Sequence, residues 1–328
     1  MNKTQKTIKA ALILLLAVLL PFSCTEDEKQ ESINIPAAKT IQGPSFVIAL
    51  LPGRNVFQQK EQYNALAAYL SKFTGMNITT KLFDSYASIY REMKEGRADA
   101  AVLGGLSYVV INSKIPLEPL ARPYMKDGTS TYSAVIFTAK NSGINADVST
   151  WKDKRIALVN KSSYSGYVFP LWYLNKNGVK DLLSYFRSVN YTGSADSSIT
   201  AVFEGQTDIG CSSKRRFDDL IKKNPPMRRK LTVIVNSPSL PSNTFVMKRS
   251  ENDALKKKIK AALLDMDKTP EGREALSALN AAHFIETKGA EYGLLSGMLN
   301  TLGLKTDDFN LEFIEILHLP PNNKTDLQ

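Results

Sequence analysis

Cysteine, histidine and tryptophan are scarce in this 328-residue sequence, which contains two of each. Cys24 lies near the N-terminus and Cys211 lies in an apolar run, so we expect no intramolecular disulfide. His283 and His318 are far apart and have no partner at a spacing typical of a zinc site or of a cysteine–histidine nucleophile. The sequence therefore predicts neither a metal ion nor a cofactor.

The apolar run at residues 10–20 is too short to cross a bilayer, because a spanning helix needs about twenty residues. It follows three lysines, and this order is typical of a secretory signal peptide, which we predict over residues 1–23. Cys24 then precedes a polar stretch, as in a bacterial lipoprotein signal. We expect a lipidated Cys24 and a polar tether over residues 24–43. Cleavage without lipidation stays open, because Pro21 stands where leucine is usual.

Negative charge is less abundant than positive charge, with 32 acidic and 42 basic residues and a net charge of +10. A basic balance on an exported chain favours an anionic ligand or an anionic surface. The lysine and arginine clusters lack the interleaved aromatic residues on which nucleic-acid bases stack. We therefore expect no nucleic-acid partner and interpret most clusters as solvated helix faces.

Apolar strand patterns alternate with helical patterns, and the alternation occurs twice along the chain. Two short segments mark the repeat: each has a helix-end glycine, Gly96 or Gly205, followed by an aspartate, Asp99 or Asp208, that opens a buried strand. Two similar halves predict an α/β fold of two lobes, each a mostly parallel sheet flanked by helices. A ligand cleft is expected between such lobes.

The predicted boundaries follow from the same alternation. The first lobe comprises residues 44–134 and 246–315, the second lobe comprises residues 135–245, and residues 316–328 form a tail. The chain is expected to cross twice between the lobes.

A serine-rich turn lies between a predicted strand at residues 155–159 and a helix that contains Pro170 near its first turn. The turn contains Ser163, Ser165 and Gly166, which place hydroxyl and backbone N–H groups at the positive end of the helix dipole. This chemistry suits an oxyanion. The same residues also suit a serine N-cap, and the turn alone leaves both interpretations open.

Short motifs, in order over residues 45–300, resemble the periplasmic substrate-binding proteins of phosphate, phosphite and phosphonate ABC transporters. They are Tyr86-Ala87-Ser88-Ile89, Gly96-Arg97-Ala98-Asp99, Leu103-Gly104-Gly105-Leu106-Ser107-Tyr108, Tyr132-Ser133-Ala134-Val135-Ile136, Ser163-Tyr164-Ser165-Gly166-Tyr167 and Gly205-Gln206-Thr207-Asp208. The resemblance implies a two-lobed, type II-like periplasmic binding protein that captures a small oxyanion by hinge closure. It also implies a monomeric, lipid-anchored protein of the cell envelope, facing the periplasm or the outer surface, with an ABC transporter permease as partner.

The resemblance also implies the ligand-binding residues. Ser163, the backbone of Tyr164 and Ser165 would hold the oxyanion on the turn that Gly166 completes. Tyr86 and Tyr132 would donate from the other side, and the set also includes Ser107.

The chain departs from the family pattern at three places. Tyr164 replaces a threonine, and Ala195 stands where a histidine is common. Arg215 and Asn243 align with positions at which some members have carboxylates for a ligand ammonium group. Because an arginine cannot pair with an ammonium group, we expect a neutral or acidic ligand tail. A solvent-facing Arg215 is the alternative.

Two other functions stay open on the sequence. A sensory module would use the same binding chemistry to report to a signalling partner, and a sulfonate or carboxylate could replace the phosphorus oxyanion. Catalysis is not expected, because no serine of the turn has a neighbouring base.

Overall fold

The computed structural model describes residues 43–51 and 55–304. The predicted signal peptide, Cys24, most of the tether, the end of the first lobe and the tail with His318 lie outside the described residues. Where the chain is described, no helix is both long and apolar enough to cross a membrane.

The strands of the described residues are β1 (Ser45–Leu50), β2 (Asn77–Leu82), β3 (Ala100–Leu103), β4 (Leu117–Met125), β5 (Thr131–Tyr132), β6 (Ala134–Ala139), β7 (Arg155–Leu158), β8 (Ser188–Tyr191), β9 (Ile209–Ser213), β10 (Leu231–Asn236), β11 (Leu240–Pro241), β12 (Thr244–Lys248) and β13 (Ala281–Glu286). The α-helices are α1 (Val56–Thr74), α2 (Tyr86–Lys94), α3 (Gly105–Asn112), α4 (Phe169–Lys176), α5 (Leu182–Tyr185), α6 (Ala195–Phe203), α7 (Lys214–Lys223), α8 (Pro225–Lys230), α9 (Asp253–Leu264), α10 (Pro270–Ala278) and α11 (Gly293–Thr301).

Two sheets form the two-lobed α/β fold that the sequence predicts. The first has the order β13-β4-β12-β3-β1-β2, and the second has the order β10-β6-β9-β7-β8. Each sheet is mixed. Strands β1, β2 and β3 are parallel, as are β7, β8 and β9, whereas the other pairings are antiparallel. The expected parallel arrangement is therefore present only in the half of each sheet that contains β1–β3 or β7–β9. These strands are joined through helices, and parallel neighbours need such a crossover connection.

Strand β4 is an element that the sequence pattern does not reveal. It contains Pro119 and Pro123, which cannot donate a backbone hydrogen bond and normally argue against an interior strand. Even so, β4 pairs with β12 on one side and β13 on the other, and the register shifts between Phe245 and Val246 and between Ala281 and His283. The irregular pairing lets the prolines lie within the sheet.

The two crossings between the sheets differ in detail from the expectation. The apolar pattern at residues 132–138 predicts one long strand. The structure divides it into β5 and β6, and β5 pairs with β11 in a separate two-stranded ribbon. The strand pattern at residues 231–235 corresponds to β10, which pairs with β6 in the second sheet, whereas β12 pairs with β3 and β4 in the first sheet. The predicted lobe boundaries at residues 134 and 245 stay a prediction.

Apolar packing joins the two lobes beside the crossings. Leu106 of α3 and Leu295 of α11 belong to the same buried cluster as Ile136 of β6 and Phe169 of α4. Cys211 is also in this cluster, fully buried, and burial raises the pKa of its thiol. It is a small buried side chain, as expected for a cysteine in an apolar strand.

The predicted internal repeat is confirmed by matched hydrogen bonds. The backbone N–H of Val47 in β1 donates to Asp99 Oδ2 at 2.7 Å, and the backbone N–H of Arg155 in β7 donates to Asp208 Oδ2 at 2.8 Å. Each aspartate thus ties the start of one strand to its parallel neighbour.

Candidate functional site

Helix α3 begins beside the crossings with an N-terminus that has no side-chain cap. Gly104 is the N-cap residue in an extended conformation, and no side chain accepts a hydrogen bond from the first turn. A methyl group on Gly104 would lie 3.3 Å from Asn243 Oδ1 and 3.9 Å from Ser107 Oγ, and one on Gly105 would lie 3.7 Å from Tyr132 Oη. Two glycines therefore keep polar side chains close to the N–H groups of the helix end, where the dipole favours negative charge.

Four tyrosines surround this helix end. Tyr86, at the start of α2, lies close to Ser107, whose hydroxyl partly opposes the rise that burial causes in the pKa of Tyr86. The ring of Tyr132 lies edge-on to that of Tyr164, with centroids 5.5 Å apart and an interplanar angle of 82°. The Tyr292 hydroxyl lies 2.7 Å from Thr244 Oγ1. Burial, followed by the neighbouring tyrosines, raises the pKa of Tyr132, so its hydroxyl stays protonated and can donate.

The serine-rich turn takes a wider form than an α-helical N-terminus. Residues Tyr164–Val168 form one turn of π-helix, and the backbone N–H of Val168 donates to the Ser163 carbonyl at 3.1 Å. Ser163 Oγ accepts from the backbone N–H of Gly166 at 2.9 Å. Ser165 is half-buried, and its hydroxyl has no hydrogen-bond partner among the described residues. Capping therefore engages Ser163 and leaves Ser165 available.

Gly166 is required by close packing in this turn. A methyl group built on it would lie 2.3 Å from Val159 Cβ and 3.1 Å from Ser163 Oγ. Its carbonyl also accepts from the backbone N–H of Val159 at 2.9 Å. The absence of a side chain at Gly166 thus allows the turn to pack closely against the end of β7.

An open cavity of about 660 Å³ lies on the other side of Tyr132. Its lining includes Tyr132, Arg215 and Asn243, together with Gln62 and Tyr63 of α1. Its wall is therefore formed by α1 and β4 on one side of the crossings and by α7 on the other.

The structure divides the predicted site residues into groups. Tyr86, Ser107, Tyr132 and Asn243 meet at the α3 N-terminus, and Tyr164 contacts this group through Tyr132. Tyr132, Arg215 and Asn243 line the cavity, whereas the lining does not include Ser163, Ser165 or Gly166. Tyr132 and Asn243 belong to both groups because they lie on the two crossings.

The cavity also has charged residues that the sequence analysis missed. Lys214, Asp127, Asp218 and Asp219 line it beside Arg215. The hydrogen bonds from Thr129, and to a smaller degree the charge of Arg215, lower the pKa of Asp127. The four-residue spacing of Lys214 and Asp218 on one helix was the available signal, since such pairs are neighbours on a helix surface.

The three consecutive cations of α7 have different partners. Lys214 Nζ lies 2.7 Å from Asp218 Oδ2, and Arg216 pairs with Asp196. Arg215 is exposed and forms no ion pair within the part of the chain that the structure describes. Of the two cations that line the cavity, Arg215 is therefore the one without an ion pair among the described residues, and its charge acts on Asp127 nearby.

The fold agrees with a comparison to known proteins. Residues 48–292 match the family described as ABC transporter, phosphonate, periplasmic substrate-binding protein. The chain belongs to this family. Its members bind substrates for transporters and are not a family of enzymes.

Two curated members are similar over most of the chain. The phosphonates-binding periplasmic protein of Escherichia coli (strain K12) is 25% identical over 69% of this chain and 67% of its own length. The probable ABC transporter phosphite binding protein PhnD1 of Prochlorococcus marinus (strain MIT 9301) is 22% identical over 75% of this chain and 85% of its own length.

Solved structures of the family share the fold. The structure of Prochlorococcus marinus PhnD1 in complex with methylphosphonate superposes with a TM-score of 0.65, at 22% identity, over 80% of this chain and 99% of that protein. A binding protein component of an ABC phosphonate transporter from Pseudomonas aeruginosa gives 0.64 at 20% identity, over 82% and 89%.

Proposed function

We propose that this protein captures a small oxyanion of the phosphonate, phosphite or phosphate type and delivers it to an ABC transporter permease. The observation that carries the proposal is the convergence of uncharged polar groups at the α3 N-terminus, where the backbone N–H donors of the first turn have no side-chain acceptor. Tyr86, Ser107, Tyr132 and Asn243 meet there beside a helix end without a side-chain cap. Hydrogen bonds from such donors to a charged acceptor are stronger than those between neutral groups.

The serine-rich turn would supply donors from the second lobe. Ser165 has an uncommitted hydroxyl, and Ser163 can still donate its own proton while it accepts from Gly166. A ligand held by both lobes would favour a closed arrangement, since residues 44–134 with 246–315 and residues 135–245 would move as two bodies around the crossings.

The open cavity beside Tyr132 would bind the tail of the ligand. The uncommitted Arg215 and the amide of Asn243 favour a neutral or acidic tail over an ammonium group. The acidic residues of the same cavity reduce this preference, because Asp127 and Asp219 have no ion pair of their own among the described residues.

The experiment is a thermal-shift panel followed by calorimetry with phosphate, phosphite, methylphosphonate, 2-aminoethylphosphonate, an alkylsulfonate and a carboxylate. We expect the phosphorus oxyanions to raise the melting temperature. A response to the sulfonate or carboxylate alone would contradict the phosphorus-oxyanion proposal and favour another anion.

A sensory role is the second candidate, because the binding chemistry of uptake and sensing is the same. Permease and ATPase genes beside the gene of this protein favour uptake. A neighbouring sensor kinase gene without them favours sensing.

We also propose that the protein is a monomer, attached to a membrane through a lipid on Cys24 and exposed to the periplasm or the outer surface. Metabolic labelling with a fatty-acid analogue should label the wild type and not the Cys24→Ala variant. Small-angle scattering of the soluble form should give the mass of one chain.

A further inference from the structure

Tyr164 has a buried hydroxyl without a hydrogen-bond partner in the part of the chain that the structure describes. The residue is 3% exposed, and its Oη atom makes no hydrogen bond. Buried polar groups are nearly always paired, and an unpaired one costs stability. A native protein that retains such a group calls for a specific explanation.

The surroundings of Tyr164 do not supply a partner. Its ring contacts Tyr132 edge-on and Phe169 at 6.3 Å between centroids, and both contacts are aromatic. The Ser237 hydroxyl lies close enough for a hydrogen-bond contribution that opposes the rise that burial causes in the pKa of Tyr164, but the two hydroxyls do not have hydrogen-bond geometry. The Ser237 hydroxyl accepts from the backbone N–H of Ala134 at 2.8 Å and donates to the Pro238 carbonyl at 2.7 Å. Its only proton is therefore committed, and its oxygen does not accept from the Tyr164 hydroxyl in this structure.

Tyr292 provides an internal comparison within the same cluster. It is 1% exposed, and its hydroxyl is paired with Thr244 Oγ1 at 2.7 Å. Two equally buried tyrosines near the α3 N-terminus thus differ in one respect: the Tyr292 hydroxyl has a protein partner, and the Tyr164 hydroxyl has none. Burial alone does not explain the unpaired hydroxyl.

We propose that the Tyr164 hydroxyl donates a hydrogen bond directly to the bound oxyanion and is a specificity-determining group of this site. The inference rests on the proposed oxyanion function and goes beyond the backbone contact that the family resemblance implies for Tyr164. The phenol would reach the ligand beside Tyr132, whose hydroxyl faces Gly105. Burial holds the pKa of Tyr164 above its ordinary value, so the hydroxyl stays a donor at neutral pH.

The inferred donor has a consequence for ligand choice. A phenol hydroxyl on the serine-rich turn places an additional donor where the family pattern has a threonine, and the ring occupies more space. The site should therefore favour compact oxyanions with several unprotonated oxygens over bulky or neutral analogues.

The test compares Tyr164→Phe with Tyr292→Phe, because each removes one hydroxyl and keeps the ring. Without ligand, Tyr164→Phe should raise the melting temperature by about 2–4 °C, whereas Tyr292→Phe should lower it by about as much. With methylphosphonate, phosphite and phosphate as probes, Tyr164→Phe should weaken the affinity for the bound probes by about 10- to 100-fold. Tyr292→Phe should weaken it by less than about threefold, because its hydroxyl already has a partner.

The outcomes separate the two proposals. If Tyr164→Phe lowers the melting temperature without ligand as Tyr292→Phe does, the hydroxyl has a partner in the protein and the inference is wrong. If the wild type binds a probe and Tyr164→Phe binds it equally well, the inference alone is overturned. If the wild type binds none of the three probes, the proposed function fails and the inference fails with it.

Discussion

The two lobes have the same plan up to the helices that follow β3 and β9. The series β1-α1-β2-α2-β3-α3 matches β7-α4-β8-α6-β9-α7, and the matching strands have the same order in their sheets. Matched caps accompany the matched strands: Ser85 accepts from the backbone N–H of Ser88 at 3.1 Å, and Ser194 accepts from that of Ser197 at 3.1 Å. The repeat therefore extends to individual hydrogen bonds.

The helices that follow β3 and β9 differ in chemistry. Helix α3 begins with Gly104 and Gly105 and has no side-chain cap, whereas Ser213 caps α7 by accepting from the backbone N–H of Arg216. The first turn of α7 also carries three cations. Equivalent places in one fold thus provide uncharged donors in one lobe and positive charge in the other, which suits a ligand with an oxyanion and a distinct tail.

The pKa values of the matched aspartates shift in opposite directions. Burial raises the pKa of Asp99, which has only the backbone N–H of Val47 as a donor. The Arg155 guanidinium lowers the pKa of Asp208, since it donates to both carboxylate oxygens, at 3.0 and 2.7 Å. The backbone contact is shared, and the presence or absence of a neighbouring arginine sets the direction of the pKa shift.

The largest expected effect concerns the glycines of the two facing turns. Gly166→Ala should lower the free energy of unfolding by about 3 kcal/mol, because its methyl group would overlap Val159 and the turn is tightly packed. Gly105→Ala should change it by less than about 1 kcal/mol, since the nearest atoms lie 3.5–3.8 Å away. Urea denaturation of both variants measures the difference, and equal losses would contradict it.

The next largest effect is on oxyanion affinity, and the two serines of the turn should differ in whether stability is also lost. Ser165→Ala should weaken oxyanion affinity by about 10- to 100-fold with no change in stability without ligand, because its hydroxyl is uncommitted. Ser163→Ala should also remove a cap and cost about 1 kcal/mol of stability. Calorimetry and melting curves of the two variants would show whether affinity and stability separate in this way. A loss of stability in Ser165→Ala would show that this serine is structural.

The repeat was predictable from sequence because it depends on local signals. A helix-end glycine and a strand-opening aspartate identify Asp99 and Asp208, and the hydrophobic pattern identifies most strands and helices. The pattern does not identify β4, since its two prolines oppose a strand, and sheet pairing on both sides overrides that local preference.

The candidate site was only partly predictable for a related reason. The serine-rich turn and the aligned tyrosines come from short motifs, so the sequence indicates them. The orientation of the Tyr164 side chain, the pairing of Lys214 with Asp218 and the position of Asp127 depend on contacts between segments that are distant in sequence. No local pattern specifies which polar atom remains without a partner after folding.

A smaller effect on the free energy of unfolding is expected for substitutions of the matched aspartates. Asp208→Asn should lower the free energy of unfolding at pH 7 by about 1–2 kcal/mol, because the charge-assisted bonds to Arg155 are lost. Asp99→Asn should leave it unchanged or higher, because the amide oxygen still accepts from Val47 and a buried charge is removed.

The pH dependence has opposite signs at the two positions. The folded-state pKa of Asp208 is lowered, so its contribution is present above the unfolded pKa and is lost as the pH falls through the folded value. The folded-state pKa of Asp99 is raised, so stability increases as the pH falls through that value. Unfolding free energies of the two asparagine variants from pH 7 to pH 3 should therefore approach each other, and parallel curves would contradict the assignment.

The smallest expected effect is on ligand selectivity and concerns the positive charge of Arg215 in the second lobe. The wild type should bind methylphosphonate more tightly than 2-aminoethylphosphonate, because the uncommitted Arg215 repels an ammonium group in the cavity. Arg215→Gln should narrow the difference by only about 1.5- to 5-fold, since Arg215 is exposed and solvent screens its charge. Lys222→Gln is the matched control: it removes one charge from the same helix at a residue outside the cavity lining. Competitive calorimetry at low salt measures the affinity difference between the two phosphonates in both variants. The change caused by Arg215→Gln should disappear near 1 M salt, where the screening length is about 3 Å. Tightest binding of the aminoethyl compound by the wild type would mean that Asp127 and Asp219, rather than Arg215, dominate the field at the ligand tail.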